Sequence, residues 1–235
     1  MPKIITAQEA AALIPSGSTV MLGGFLGCGA AYSIIDALDE SDVENIIGIM
    51  DDAALLHGPD GSDYYAWARL LHSGKIKKYI GPHIGTNPEA SEMWLRGELE
   101  LELIPQGSMA EMIRAGGVGM PGILTPVGLG TFMEQSPWVD RKLNIQGKDY
   151  LLMKALHADF ALLSGYLVDT NGNIWYKGTT RNFAPLMAMA ADTVIVEAEH
   201  LVEPGTIEPE NVVTPGILVD YIVVREEARK WIESE

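Results

Sequence analysis

The stretch Ser18-Thr-Val-Met-Leu-Gly-Gly-Phe-Leu-Gly-Cys-Gly29 decides the fold. It opens with a short apolar run, which predicts a buried strand. Four glycines follow between Gly23 and Gly29, and the segment from Ser33 to Leu38 then has the spacing of a helix. Glycines between a strand and a helix let backbone N–H groups approach a ligand, and the helix N-terminus adds partial positive charge. The stretch therefore predicts an α/β fold, and it leaves open whether the turn binds a ligand or is only tight.

Two phosphate-binding patterns do not fit these glycines. No Gly-Lys-Ser/Thr follows them, so the turn is not a Walker loop. Gly27-Cys-Gly29 continues as Ala-Ala-Tyr32, so the third glycine of a dinucleotide fingerprint is missing. A second cluster, Gly117-Val-Gly-Met-Pro-Gly122, matches that spacing, but a helix precedes it and a strand-like run follows. That order is the reverse of a dinucleotide site, so we reject this function for both clusters.

The rest of the chain alternates helix and strand patterns. Thr6-Ala-Gln-Glu9 and Ser108-Met-Ala-Glu111 have the form of capping boxes, and Asn87-Pro88 predicts a helix over residues 88–95. We expect the second box to begin a helix that ends near Gly116. Apolar runs predict strands over 45–50, 77–80, 98–104 (an edge strand), 159–168, 193–196 and 217–224, with a hairpin around 146–148. Such alternation favours one domain over residues 1–235, an open, mostly parallel sheet with helices on both faces.

Composition and charge exclude several classes of protein. The chain has 235 residues and a formal net charge of −16, which argues against binding to nucleic acid or to an anionic membrane. Its single cysteine, Cys28, excludes an internal disulfide and a multi-cysteine zinc site, and we expect no metal. The N-terminal residues lack a long apolar run, so we expect no leader peptide and a cytoplasmic location.

Polar residues stand where predicted strands end. Asp51-Asp52 closes one strand, His83 follows the next, and Gln106 follows a third. Because the carboxyl ends of parallel strands line a common crevice, these residues suggest one site. The aspartates could equally form a solvated turn or a helix cap. His83 has no metal-ligating neighbour at a useful spacing, and Cys28 has no histidine nearby in the sequence that would activate it.

These segments resemble the A (alpha) subunit of family I coenzyme A transferases of the acetate/acetoacetate type. The match begins with Val20-Met-Leu-Gly-Gly-Phe-Leu-Gly-Cys-Gly29 and extends along nearly the whole chain. It continues through His83-Ile-Gly-Thr-Asn-Pro-Glu89, Pro105-Gln-Gly107, Arg114-Ala-Gly-Gly-Val-Gly119 and Val213-Thr-Pro-Gly216. At the strand end where the family usually has Asn-Asn or Asn-Asp, this chain has Asp51-Asp52.

The resemblance implies an open α/β fold shared with sugar-phosphate isomerases of the ribose type. It also implies a reaction that moves CoA from an acyl-CoA to a free short-chain carboxylic acid, with CoA as a substrate and no permanently bound cofactor. The family's nucleophile is a glutamate in a Ser-Glu-Asn-Gly segment of the B (beta) subunit, and this chain has no such segment. We therefore expect a B-subunit partner in an A2B2 heterotetramer.

The resemblance also assigns site residues. Gln106 would support the acyl oxyanion, and the glycine turn would hold CoA and the acid through its main-chain N–H groups. The expected turn residues are Gly23, Gly24, Phe25, Leu26, Gly27, Cys28 and Gly29, and the expected substrate residues are Asp51, Asp52, His83, Gly116 and Gly117. Two alternatives remain open: a non-catalytic acyl-CoA-binding subunit, and a single-chain isomerase of the same fold.

Overall fold

The computed structural model describes residues 1–59 and 61–225. Its strands are β1 (Lys3–Ile5), β2 (Thr19–Leu22), β3 (Ile46–Met50), β4 (Ile76–Gly81), β5 (Glu100–Leu103), β6 (Gly122–Thr125), β7 (Val139–Ile145), β8 (Lys148–Lys154), β9 (Ala158–Asp169), β10 (Ile174–Trp175), β11 (Ala191–Val202) and β12 (Tyr221–Val224). Its helices are α1 (Ala7–Ala12), α2 (Tyr32–Glu40), α3 (Ala68–His72), α4 (Pro88–Leu95), α5 (Gln106–Gly117) and α6 (Ala184–Met189). None of these helices is long and apolar enough to cross a membrane.

The main sheet is parallel along its whole central path. Its strand order is β1-β12-β11-β9-β2-β3-β4-β5, and among the described residues only β10 runs antiparallel, as the partner of β9. Strands β6, β8 and β7 form a separate antiparallel sheet of three strands. The predicted open, mostly parallel α/β sheet is therefore confirmed, including β5 as an edge strand.

Alternating side chains of the central strands fill two apolar clusters. On β2, Val20 and Leu22 belong to one cluster and Met21 belongs to the other. The first cluster contains residues of α1, α2, α3 and α4, and the second contains residues of α5, α6 and the small sheet. A strand that is buried on both sides has a continuous run of apolar residues, as β2 has from Val20 to Leu22.

Local chemistry explains where several helices begin. The Thr6 hydroxyl accepts a bond from the Glu9 amide at 3.1 Å, and the Glu9 carboxylate accepts one from the Thr6 amide at 2.8 Å. The Asn87 side chain caps α4 by accepting from the Ala90 amide at 3.2 Å. Both caps agree with the sequence predictions.

The second predicted capping box is wrong. Helix α5 already begins at Gln106, directly after Pro105, and Ser108 makes no cap. Ser108 is the third residue of α5, and its buried hydroxyl has no hydrogen-bond partner, so it caps no amide. The predicted last strand also begins too early, since residues Gly216–Leu218 form a 3₁₀ turn before β12.

Candidate active site

The site forms where parallel strands end next to one another. Gly24 follows β2, Asp51 follows β3, His83 follows β4 and Gln106 follows β5, and these four strands are adjacent in this order. A direct hydrogen bond connects Asp51 with Gln106, and Asn182 connects Asp51 with Gly24. The strand ends therefore meet at one edge of the sheet, as the strand-end rule predicts.

Asp51 is buried and accepts hydrogen bonds from two side-chain amides. Its Oδ1 lies 2.7 Å from Nε2 of Gln106, and its Oδ2 lies 2.8 Å from Nδ2 of Asn182. Only 3% of Asp51 is exposed, so the solvated-turn interpretation is wrong. Because a carboxylate can only accept hydrogen bonds, it obliges both amides to turn their NH2 groups toward it. The orientation of Gln106 thus follows from the charge at position 51.

Asn182 is the site residue that the sequence did not reveal. It lies in the segment between β10 and α6, and its Nδ2 donates to the Gly24 carbonyl at 2.9 Å as well as to Asp51. Its backbone has φ 30° and ψ −126°, a conformation that favours glycine. An asparagine just before a helix is ordinarily read as a cap, so its sequence position carried no signal for this site.

Asp52 ties the glycine turn to the end of β3. One carboxylate oxygen accepts from the Leu26 amide at 2.7 Å, and the other accepts from the Ala54 amide at 2.6 Å. Burial raises the pKa of Asp52 to about 6, and the negative charge of Asp51 adds to this rise. The hydrogen bonds from the two main-chain amides and the nearby His83 act in the opposite direction and lower the pKa of Asp52. Asp52 is therefore a buried anchor of the turn and has no carboxylate oxygen without a main-chain donor.

The glycine turn is a tight hairpin. The Phe25 amide donates to the Cys28 carbonyl at 2.9 Å, and the Cys28 amide donates to the Phe25 carbonyl at 2.8 Å. Leu26 and Gly27 connect them with φ values of 49° and 86°. A Cβ on Gly27 would lie 2.2 Å from a ring carbon of Tyr65, so only glycine fits there.

The turn leaves few N–H groups for a ligand. The amides of Gly23, Phe25, Leu26 and Cys28 all donate within the protein. Among the described residues, the amides of Gly24, Gly27 and Gly29 meet no acceptor. Of the seven residues that we predict for binding CoA and acid through main-chain N–H groups, only these three glycines can donate without breaking an existing bond.

The N-terminus of α2 is already occupied by an internal carboxylate. Glu197 Oε2 accepts from the Ser33 amide at 2.6 Å, and its Oε1 accepts from Nε of Arg225 at 2.6 Å. Glu197 and Arg225 are both buried. The partial positive charge of this helix end is therefore satisfied inside the protein, which disfavours the alternative in which it binds a ligand.

His83 and Cys28 lie beside the glycine turn and the strand ends. The His83 carbonyl accepts from the Tyr79 hydroxyl at 2.7 Å, and His83 itself is exposed. Burial raises the pKa of the Cys28 thiol, and the charge of Asp52 raises it further. A thiol with a raised pKa is a poor nucleophile, in line with the prediction that Cys28 does not attack substrate. No cluster of three or more His, Cys, Asp or Glu side chains suited to a metal ion occurs in the described part of the chain.

Gly116 and Gly117 do not join the site. They close the last turn of α5, whose first residue is Gln106. At about 1.5 Å of rise per residue, the two ends of this helix lie roughly 15 Å apart. A Cβ on Gly116 would lie 1.9 Å from the Leu156 carbonyl, and one on Gly117 would lie 2.5 Å from Cβ of Met189. Close packing against the chain before β9 and the end of α6 explains both glycines without a ligand, and their assignment to substrate stays a prediction.

Comparison with known proteins identifies the family of this chain. The chain matches the family model described as "Coenzyme A transferase" over residues 4–225. It is 44% identical over 221 residues to the acetoacetyl-CoA:acetate/butyrate CoA transferase alpha subunit of Clostridium acetobutylicum, covering 94% of this chain and 97% of the relative. It is 40% identical over 227 residues to the acetate CoA-transferase alpha subunit of Escherichia coli K12, covering 97% of this chain and 99% of the relative.

Solved structures support the fold. An acyl-CoA transferase from Escherichia coli O157:H7, crystallised as a thioester complex with CoA, superposes with a TM-score of 0.82 at 22% identity. The superposition covers 100% of this chain and 52% of that one. The family match over nearly the whole chain, together with two relatives of similar length that are alpha subunits, establishes that this chain belongs to the coenzyme A transferase family.

Proposed function

We propose that this chain is the alpha subunit of a cytoplasmic A2B2 enzyme that moves CoA between an acyl-CoA and a short-chain monocarboxylic acid. One observation carries the proposal. In the described site the buried amides of Gly24, Gly27 and Gly29 meet no acceptor within the chain, while the side chains offer no ready nucleophile. Both aspartates are buried with their oxygens engaged, and the pKa of Cys28 is raised. Such a site can stabilise an oxyanion and needs a partner to supply the attacking group.

The chemistry divides between the two subunits. A glutamate of the beta subunit attacks the thioester carbonyl, forms an acyl-glutamyl anhydride and releases CoA as the thiolate. The thiolate then attacks the glutamyl carbonyl of that anhydride, which gives a glutamyl-CoA thioester and frees the first acid. The acceptor acid repeats these steps in reverse order and leaves as the new acyl-CoA. Covalent catalysis of this kind divides one difficult exchange into easier steps.

The alpha subunit stabilises the charge that develops in each attack. Every tetrahedral intermediate carries an oxyanion, and preorganised N–H donors stabilise it most where water is excluded. The glycine amides can supply such donors. Gln106 can supply one more, because its NH2 group has two hydrogens and only one faces Asp51. The amide adds no charge of its own, so the oxyanion is stabilised without a counter-ion.

Asp51 favours an acid without a second negative charge near the acyl group. Acetate, butyrate and acetoacetate meet this condition, whereas succinate would place a second carboxylate in the same pocket. The names of the two relatives include acetate, and one also includes butyrate. These names and the buried charge of Asp51 support the same class of substrate.

The decisive experiment compares the chain alone with the chain co-expressed with its beta subunit. We expect CoA exchange between acetoacetyl-CoA and acetate only from the complex, and mass spectrometry should find CoA on a beta-subunit glutamate. Turnover of a sugar phosphate by the lone chain would instead favour the isomerase alternative. A complex that binds acyl-CoA but forms no glutamyl adduct would indicate a non-catalytic binding subunit.

A further inference from the structure

A single short segment contacts both ends of the glycine turn. Residues 177–183 lead from β10 to α6, and Thr180 lies so close to Gly29 that an added Cβ would be 2.8 Å from Cβ of Thr180 and 2.9 Å from its Cα. Two residues later, Asn182 donates to the Gly24 carbonyl at 2.9 Å. The segment thus fixes the first and the last of the glycines that have free N–H groups.

Asn182 uses both hydrogens of its amide in this role. One hydrogen serves Gly24, and the other serves Oδ2 of Asp51 at 2.8 Å. The peptide between Gly24 and Phe25 is therefore held on both sides, because its N–H donates to the Cys28 carbonyl. Rotation of this peptide would break two hydrogen bonds at once.

The backbone of Asn182 indicates that its side chain is needed. With φ 30° and ψ −126°, its backbone adopts a conformation that residues other than glycine rarely take. Glycine would occupy this position without strain but would provide no amide. Asn182 therefore gives the turn a side-chain hydrogen bond, which a glycine at this position could not make.

We propose that Asn182 is a positioning residue that holds the glycine turn against Asp51 and thereby directs the free N–H groups of the turn at the acyl oxyanion. The role rests on the proposed CoA exchange, because the oxyanion arises only in that reaction. Asn182 acts through Gly24 and Asp51, and it need not touch substrate itself. A misplacement of about 1 Å in such a site can cost roughly 100-fold in rate.

The first test is Asn182→Gly in the complex with the beta subunit. This variant removes the amide and keeps a backbone suited to positive φ, so its Tm change is the difference between the relief of backbone strain and the loss of the hydrogen bond to buried Asp51. We expect kcat to fall by about 10- to 100-fold, with KM for acetate changed by less than about threefold, because the bonds matter most in the transition state. Gln146→Gly is the matched control, since Gln146 also has positive φ but is exposed at the tip of the β7–β8 hairpin. Unchanged kcat in Asn182→Gly would overturn the proposal.

A second pair of variants tests the coupling to Asp51. Asn182→Asp places a carboxylate beside Asp51 and removes both donors, so we expect a larger loss of kcat than in Asn182→Gly. Adding Asp51→Asn removes the repulsion and restores one donor–acceptor pair between the two positions. The double variant should therefore recover at least about tenfold in kcat over Asn182→Asp alone, with the coupling read as a double-mutant cycle. Losses that simply add would refute the link between these residues.

Hydrogen exchange separates this proposal from the proposed function. In the wild-type complex the Phe25 and Cys28 amides are bonded to each other's carbonyls, so they should exchange slowly. Asn182→Gly should raise their exchange rates, and Gln146→Gly should not. Absence of CoA exchange in the wild-type complex would refute the proposed function alone. Unaltered amide exchange in Asn182→Gly would refute the positioning role, whatever reaction the complex catalyses.

Discussion

Asp51→Asn should widen the range of acids that the enzyme accepts. Asp51 is 3% exposed, so its charge is poorly screened. At an effective dielectric of about 20, a second carboxylate on the substrate would be repelled by about 4 kcal/mol at 4 Å and about 2 kcal/mol at 8 Å. These energies correspond to roughly 800-fold and 30-fold in kcat/KM. We expect the ratio of kcat/KM for succinate over butyrate to rise at least about tenfold, because the variant removes this repulsion.

The same substitution rearranges the hydrogen bonds around position 51. An amide there can still accept from Asn182, but its NH2 group would meet the NH2 group of Gln106. Gln106 can relieve this conflict by turning over, whereas Asn182 cannot, because both its hydrogens are already used. A turned Gln106 presents its other edge to the acyl group. The variant should therefore lose some activity toward butyrate as it gains relative activity toward succinate.

The assay is steady-state kinetics of the complex with butyrate and succinate as acceptors. Asp159→Asn provides a matched control, since it removes the same charge from an exposed carboxylate at the start of β9, where it accepts from the Thr19 amide. The control should leave the ratio of the two kcat/KM values unchanged. An unmoved ratio in Asp51→Asn would show that Asp51 does not select the acyl group.

Two further predictions concern neighbouring residues of the site. Gln106→Ala should lower kcat/KM by roughly 10- to 1,000-fold, which is the range for one lost oxyanion donor. The control Gln135→Ala changes an exposed 3₁₀ turn and should leave kcat/KM unchanged. Equal kinetics in the two variants would remove Gln106 from the site. Asp52 has a pKa raised to about 6 in the folded chain, so its contribution to the free energy of unfolding should fall as pH rises from about 4 to about 6 and then stay constant. Measured by urea denaturation, wild type should lose up to about 3 kcal/mol relative to Asp52→Asn across that interval, and a constant difference between the two would contradict the raised pKa.

The sequence predicted the parts of the site that depend on local pattern. Strand ends follow from apolar runs, and in a parallel sheet they share one edge, so Asp51 and Gln106 could be placed together in advance. The caps at Thr6 and Asn87 were equally accessible, because each involves residues three positions apart. The false cap at Ser108 has the same spacing. Spacing alone does not say whether a side chain faces solvent or the core.

Long-range contacts could not be read from the sequence. Asn182 stands 131 positions after Asp51 and Glu197 stands 164 positions after Ser33, and no periodicity relates such distances. Gly116 and Gly117 make the same point. The resemblance assigned them to substrate, whereas the Leu156 carbonyl and Met189, which only the packed structure brings close, already account for both glycines.

Three acidic residues determine which donors the site keeps. Asp52 takes the Leu26 amide, Glu197 takes the Ser33 amide, and Asp51 orients the amide that holds Gly24. All three are buried, and burying charge is favourable only when hydrogen bonds compensate it. Because these carboxylates consume the nearest donors, the glycine amides remain as the main-chain groups free to meet an oxyanion. An acidic chain can in this way leave main-chain donors available for an anion, provided that its buried carboxylates are fully hydrogen-bonded inside the protein.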